Sequence, residues 1–222
     1  MTTYTQAGQS GDKRVRKRPT QSRSRAMVEL ILQTTQIVLR EEGYEAVTTN
    51  RIAERAGISV GSVYQYFPDK AAIVVELQRR HHGQLTGIMA AAFAEAAALN
   101  LADATRCLVR AALDAHYLDP TLHKVLADVV PSVINRPTRQ AAQKGIEAQL
   151  CIWLSRHVDD IRVSDIALAA FIIRNLVESV THAAVIDPPE VGAKVDIIED
   201  QLTRMILAYL SGQSALQAGN SV

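Results

Sequence analysis

The chain has 222 residues, 48% of them hydrophobic and 21% charged, which suits a globular protein with one large or two modest cores. Aromatics make up only 5%, and Ala, Leu, Ile and Val supply most of the apolar content, a mix that favours helices packed on helices over a β-sandwich. The net charge of +1 hides an imbalance: residues 1–80 carry 13 Lys and Arg against 8 Asp and Glu, and residues 81–222 carry 11 against 15, the pattern of a chain whose front meets a polyanion.

No run of about 18 apolar residues escapes a charge or strongly polar group, so no membrane span is expected. The polar, then basic, start lacks the apolar stretch of a signal peptide, and a cytoplasmic location is the expectation. Cys107 and Cys151 lie in apolar helical stretches without CxxC or Cys/His spacing and read as reduced core thiols.

Residues 1–21 hold Gly8, Gly11, Pro19 and the basic run from Lys13 to Arg18, too polar to order themselves. They read as a disordered basic arm, either merely solvated or drawn to phosphates. From Ser22, apolar residues Met27, Leu30, Ile31 and Val38 recur at helical steps until Gly43. Thr48 or Thr49 can cap a short second helix, Asn50 to Ala56, closed by Gly57. Ser59 caps a third running to Phe67; Pro68 stops it, Asp69 caps the next, and a long helix follows from Lys70 to about Ala98. Further helices are expected from Asn100 or Asp103 to about Leu118, from Pro120 to Val130, from just after Asn135–Pro137 to about His157, from Ser164–Asp165 to about Ile186, and from Glu190 to about Leu210. The fold class expected is all-α with about nine helices.

The segment from Thr48 to Lys70, TTNRIAERAGISVGSVYQYFPDK, fits a helix-turn-helix. Ala53 and Ala56 let two helices approach, Gly57 supplies a left-handed turn, and Ile58 and Val63 fill the space between them. The outer side of the second helix offers Ser59, Gly61, Ser62, Gln65 and Tyr66, which are short or hydrogen-bonding side chains able to approach a major groove.

Together with ILQTTQIVLREEGYEAVTT ahead of it, this segment makes residues 23–80 closely resemble the DNA-binding domain of TetR-family transcriptional regulators. The resemblance implies a three-helix head whose third helix enters the major groove, in a homodimer reading a palindromic operator. It implies that Thr49 caps helix two and holds a phosphate, assisted by Thr48, and that Asn50 and Arg51 reach phosphate or a base edge. Val60, Gly61, Ser62 and Gln65 would face the groove, Tyr64 and Tyr66 would contact the backbone through their hydroxyls, and Lys70 would pair with a phosphate. The organisation expected is an arm (1–21), a DNA-binding domain (22–80), a helical ligand-sensing and dimerisation domain (81–212) and a flexible tail (213–222).

The rear carries no catalytic signature, and neither a cofactor nor a metal is expected. The six histidines are scattered in sequence, without HxxE or HExxH spacing; His81–His82 reads as an exposed pair near the head, and Glu178–His182 as a surface or interface pair. Ile166, Ala170, Ile173, Val177 and Val180 form one apolar stripe, and Ile198, Leu202, Met205, Ile206 and Tyr209 another. The family resemblance makes these two helices the dimer interface. An unidentified small-molecule effector would lie among the middle helices, with Met89, Phe93, Arg110, His116, Tyr117, Trp153, Asn175 and Glu178 as candidate contacts. The function so implied is sequence-specific DNA binding by a homodimeric repressor released by a ligand.

Overall fold

In a computed structural model, the described residues are 18–126, 132–186 and 195–212. Among them the chain forms nine helices and no strand: α1 (Arg18–Glu42), α2 (Thr49–Ala56), α3 (Val60–Tyr64), α4 (Lys70–Ala96), α5 (Leu101–Tyr117), α6 (Pro120–Lys124), α7 (Ser132–Arg156), α8 (Ile166–Ile186) and α9 (Val195–Leu210). The expected basic arm, apart from its last few residues, and the expected C-terminal tail lie outside the described residues, as do the expected end of α6 at Val130 and start of α9 at Glu190.

Local chemistry sets most boundaries. Side chains of Thr48, Ser59, Asp69, Asn100 and Asp119 each accept a backbone N–H at the start of a helix, and Asp165 does so for Leu168 at 2.9 Å. Gly43 and Gly57 take φ of 83° and 66°, the left-handed conformation that ends α1 and α2 at little cost only in glycine. Two boundaries differ from expectation. The third helix stops at Tyr64, because Tyr66 and Phe67 turn back onto Val63 through 3.0 Å backbone bonds. The seventh starts at Ser132 and runs through Pro137. Proline there deletes one N–H near the helix start, a local loss that 19 further residues of helix outlast.

Two apolar clusters organise the molecule. The first joins Ile31, Leu32, Val38 and Leu39 of α1 to Ile52 of α2, Val63 of α3 and Ile73, Val74 and Leu77 of α4; it also takes in Leu122 of α6 and the adjoining Leu126. The second joins the distal half of α4 with α5, α7, α8 and α9 around Phe93, Leu113, Trp153, Leu154, Ile173 and Leu202. Helix α4 runs through both. Helix α6, 40 residues beyond the head in sequence, is bolted to it by those two leucines and by the ion pair of Asp119 with Arg40 of α1.

Helix α8 departs from the expectation of no membrane-length apolar span. Its stretch Ile166–Ala184 is long and apolar enough, by length and composition alone, to cross a bilayer. Yet Arg174 and Glu178 lie within it and pair with each other at 2.7 Å, and its inner side packs on α5, α7 and α9. Only 22% of the stretch is buried inside the subunit, which leaves Leu168, Phe171 and Ile172 exposed.

Candidate nucleic-acid interface and effector cavity

The head presents α3 outward. Ser59 accepts the Ser62 N–H at 3.1 Å and shares a 2.8 Å hydroxyl–hydroxyl bond with it, while Val63 below is fully buried and anchors the helix. Ser59, Gly61, Tyr64 and Gln65 are exposed; Val60, Ser62 and Tyr66 are half-buried. Tyr64, 54% exposed, is not a core residue, and its hydroxyl meets that of Thr49 at 3.2 Å. A Cβ built on Gly61 meets nothing closer than 3.7 Å, so no contact within the chain requires a glycine there.

Thr48, and not Thr49, caps α2: its hydroxyl accepts the Arg51 N–H at 3.0 Å. Thr49 is the first helical residue, with its hydroxyl turned to Tyr64 instead. Asn50 is exposed beside it. Arg51 does not project freely. Glu42 of α1 holds its guanidinium through contacts of 2.9 Å, and Glu54 adds another at 2.8 Å; these bonds hold the Glu42 carboxyl below its usual range and raise the guanidinium further. To reach DNA, Arg51 must exchange carboxylates for phosphate. Lys70, at the start of α4, lies with its ammonium 4.5 Å from the Tyr44 ring centroid.

In the rear half, α4, α5, α7 and α8, with Ile206 of α9, enclose a cavity of about 420 Å³, within the size range of small-molecule sites. Met89, Phe93, His116, Trp153, Asn175 and Glu178 line it, as the sequence suggests. Arg110 and Tyr117 do not. Arg110 is drawn to the outside by Asp114, Asp196 and Glu199, and Tyr117 is 37% exposed with its hydroxyl 3.4 Å from the Ala184 carbonyl. The Trp153 indole nitrogen is buried without a hydrogen-bond partner among the described residues.

The histidines give the largest correction. His81, His82, His116, His123 and His182 all line the cavity, brought together from α4, α5, α6 and α8. His81 is 4% exposed, not a surface residue. Its Nε2 is 3.0 Å from His123 Nδ1, and His123 Nε2 is 3.1 Å from His182 Nδ1. The His116 ring stands edge-on to His123, centroids 4.8 Å apart. Burial pushes His81 down to about 4 and His123 to about 3, with the neighbouring imidazoles adding to the effect, and burial lowers His116 as well. Glu178 and His182 line the cavity and do not form the expected surface or interface pair on an outer face; Glu178 accepts there from Gln143 at 2.8 Å and from Arg174.

The apolar stripes of α8 and α9 divide between inside and outside. Ala170, Ile173, Leu202 and Ile206 are buried in their own subunit, and Ile166, Val177, Val180 and Ile198 pack partly against the same core. Met205 and Tyr209 are exposed, at 53% and 37%. Sequence periodicity missed the outward companions Leu168, Phe171, Ile172 and Ile197. Cys107 and Cys151 are free thiols, both half-buried.

A capped helix pair with an outward, glycine-bearing third helix, joined to a helical body with an internal cavity, is the architecture of a helix-turn-helix regulator. Residues 31–77 match the model of "Bacterial regulatory proteins, tetR family", and residues 100–210 match "Tetracyclin repressor-like, C-terminal domain". The chain belongs to the TetR family of DNA-binding transcriptional regulators. It is 36% identical over 55 residues to the HTH-type transcriptional repressor KstR of Mycobacterium tuberculosis, a match covering 25% of each chain. Over 47 residues it is 43% identical to the nucleoid occlusion factor SlmA of Actinobacillus pleuropneumoniae, covering 21% of this chain and 23% of that one. The matched segment thus spans about a quarter of these curated relatives. Among solved structures, the fatty acid degradation regulator FadR of Bacillus halodurans superposes with a TM-score of 0.65 at 18% identity, covering 83% of this chain and 96% of that one.

Proposed function

We propose that this regulator is a homodimeric repressor that reads a palindromic operator and leaves it when a small amphipathic molecule occupies the cavity. In this reading residues 22–80 work as the DNA-binding unit and residues 81–212 as the sensor and dimerisation unit of a cytoplasmic protein. Val60, Gly61, Ser62 and Gln65 meet the groove, while Thr48, Thr49, Asn50, Arg51, Ser59, Tyr64, Tyr66 and Lys70 position the head on the phosphates.

The observation that carries the reading is the double membership of the α6 segment. Leu122 and Leu126 sit in the core of the head, while His123 between them lines the cavity. A molecule pressing on His123 therefore displaces the helix on which the head rests. Two heads must enter successive grooves about 34–36 Å apart, so a small tilt of each is enough to break the fit. A ligand shifts this equilibrium only by its differential affinity for the two arrangements.

The outward apolar residues of α8 and α9 supply the dimer contact. Leu168, Phe171, Ile172, Ile197, Met205 and Tyr209 form a face that a second copy of the same helix pair covers as a four-helix bundle. The test is a mobility shift with the intergenic DNA upstream of the gene, run for the wild type, Tyr64→Ala and Lys70→Ala. Specific binding that survives unweakened in both variants defeats the assignment of the head.

A further inference from the structure

The cavity is polarised along its length. At its far end stand Met89 and Phe93 of α4, Leu108 and Val109 of α5, Leu150 and Trp153 of α7 and Ile173 of α8. At the end next to the head stand the five histidines, with Gln143 and Glu178 beside them. A ligand that fits has one apolar end and one polar end, and the polar end meets imidazoles.

The histidines form a row, not a nest. His123 uses its two different ring nitrogens for His81 and His182, so the three rings do not converge on one point where a metal ion could sit. Among the described residues no group of three or more ligating side chains has metal-site geometry. The row ends on a buried, unsatisfied atom: His81 Nδ1 has no hydrogen-bond partner among the described residues. A ligand's polar group at this end of the cavity can give His81 the partner it lacks.

The acidic groups around the row are already paired with arginines. Asp119 of α6 is paired with Arg40 of α1, and Glu178 of α8 with Arg174, which Glu147 of α7 also holds. Lys124 of α6 is exposed, as is Arg139 of α7 at the cavity wall, while the His82 Nδ1–H donates to the Gln78 carbonyl and the His116 Nδ1–H to that of Ala112. Burial, with repulsion from neighbouring imidazoles, holds His81, His123 and His116 below the usual imidazole range. Repulsion between neighbouring imidazoles also limits how many protons the row can take. One proton can enter when one negative charge enters with it, whereas a dianion would require a second charge that the row resists.

We propose that the histidine row is the head-group site for a monoanionic amphipathic ligand, a carboxylate with a hydrocarbon body, and that each ligand binds together with one proton. The balance is simple: a carboxylate and a solvent proton enter, and a neutral carboxylate–imidazolium pair results, with no bond broken. This inference rests on the reading of the cavity as the effector site.

Trp153 is the sole tryptophan and lines the far end, so its fluorescence reports occupancy directly. The full-length protein is titrated with decanoate, decanol and decyl phosphate between pH 5.5 and 8. Decanoate binds more tightly as pH falls, approaching tenfold per unit in the lower part of that range, the slope of one linked proton. Decanol binds with no such slope. Calorimetry in two buffers of different ionisation heat reads close to one proton taken up per decanoate, and His81→Gln, checked for folding by circular dichroism, removes most of the uptake. Decanoate binding without proton uptake, or decyl phosphate preferred at every pH, overturns the carboxylate site while leaving the cavity as an effector site. Failure of all three probes, decanol included, to alter Trp153 emission overturns the cavity reading itself. Stoichiometric Zn²⁺ binding that His81→Gln abolishes overturns the row in favour of a metal centre.

Discussion

The head and the rear half are built by opposite means. In the head, each functional position is fixed by neighbours close in sequence: Thr48 caps the N–H of Arg51, Ser59 that of Ser62, and Gly57 turns the chain between α2 and α3. In the rear half, the site is assembled across long separations, with His81 bonded to a residue 42 positions away and His123 to one 59 away. The DNA-facing geometry of the head is thus set locally, even though its core rests on Leu122 and Leu126, whereas the histidine site exists only once distant segments have packed.

That contrast can be broken most forcefully in the core of the head. Ile52→Ala removes a fully buried side chain and is expected to cost about 2–5 kcal/mol by denaturant unfolding, enough to lose operator binding. If the head were held by its caps alone, the loss would stay below about 1 kcal/mol. Next in size, Phe171→Glu with Met205→Glu charges the outward faces of α8 and α9 without touching either core. Sedimentation should then give monomers, and operator affinity should fall at least a hundredfold, about 2.7 kcal/mol.

The histidine row supplies a test by pH. His81 and His123 are depressed in the folded protein to about 4 and about 3, so the unfolded chain binds more protons once the pH drops below about 6.5. Stability should be flat above that point and should fall between pH 6.5 and 4, by up to ~1.4 kcal/mol per unit for each histidine. A double variant, His81→Gln with His123→Gln, should flatten the slope of midpoint against pH, whatever it does to stability at pH 7. At the head, Gly61→Ala should leave stability unchanged or raise it by about 0.5–1 kcal/mol, while operator affinity falls about tenfold. The smallest effect belongs to Arg110→Ala, whose side chain pairs with acids on the outside; the response of Trp153 to decanol should be unaltered.

The sequence revealed much of the head and the all-helical class because caps, turns and apolar periods are local. It did not reveal which of Thr48 and Thr49 is the cap, since both carry the hydroxyl and only backbone conformation separates them. The α8 stripe misled for a different reason. Both sides of that helix are apolar, so Ala170 and Ile173 on the inside could not be told from Phe171 and Ile172 on the outside. Arg110 looked like a polar contact within an apolar helix, but the acids that draw it outward lie 86 and 89 residues further along. His81–His82 looked exposed for want of any visible partner, because the partner of His81, His123 of α6, lies 42 residues away.

The shared allegiance of α6 has a practical consequence for anyone who recombines such regulators. A head cut from its body after residue 80 would lose Leu122 and Leu126 from beneath its own hydrophobic floor. Chimeras that graft this head onto a foreign body should therefore carry the α6 segment as an insert, or supply two leucines from the new host in the same place. Without them, the graft would be expected to recognise its operator weakly even with every DNA-facing side chain intact.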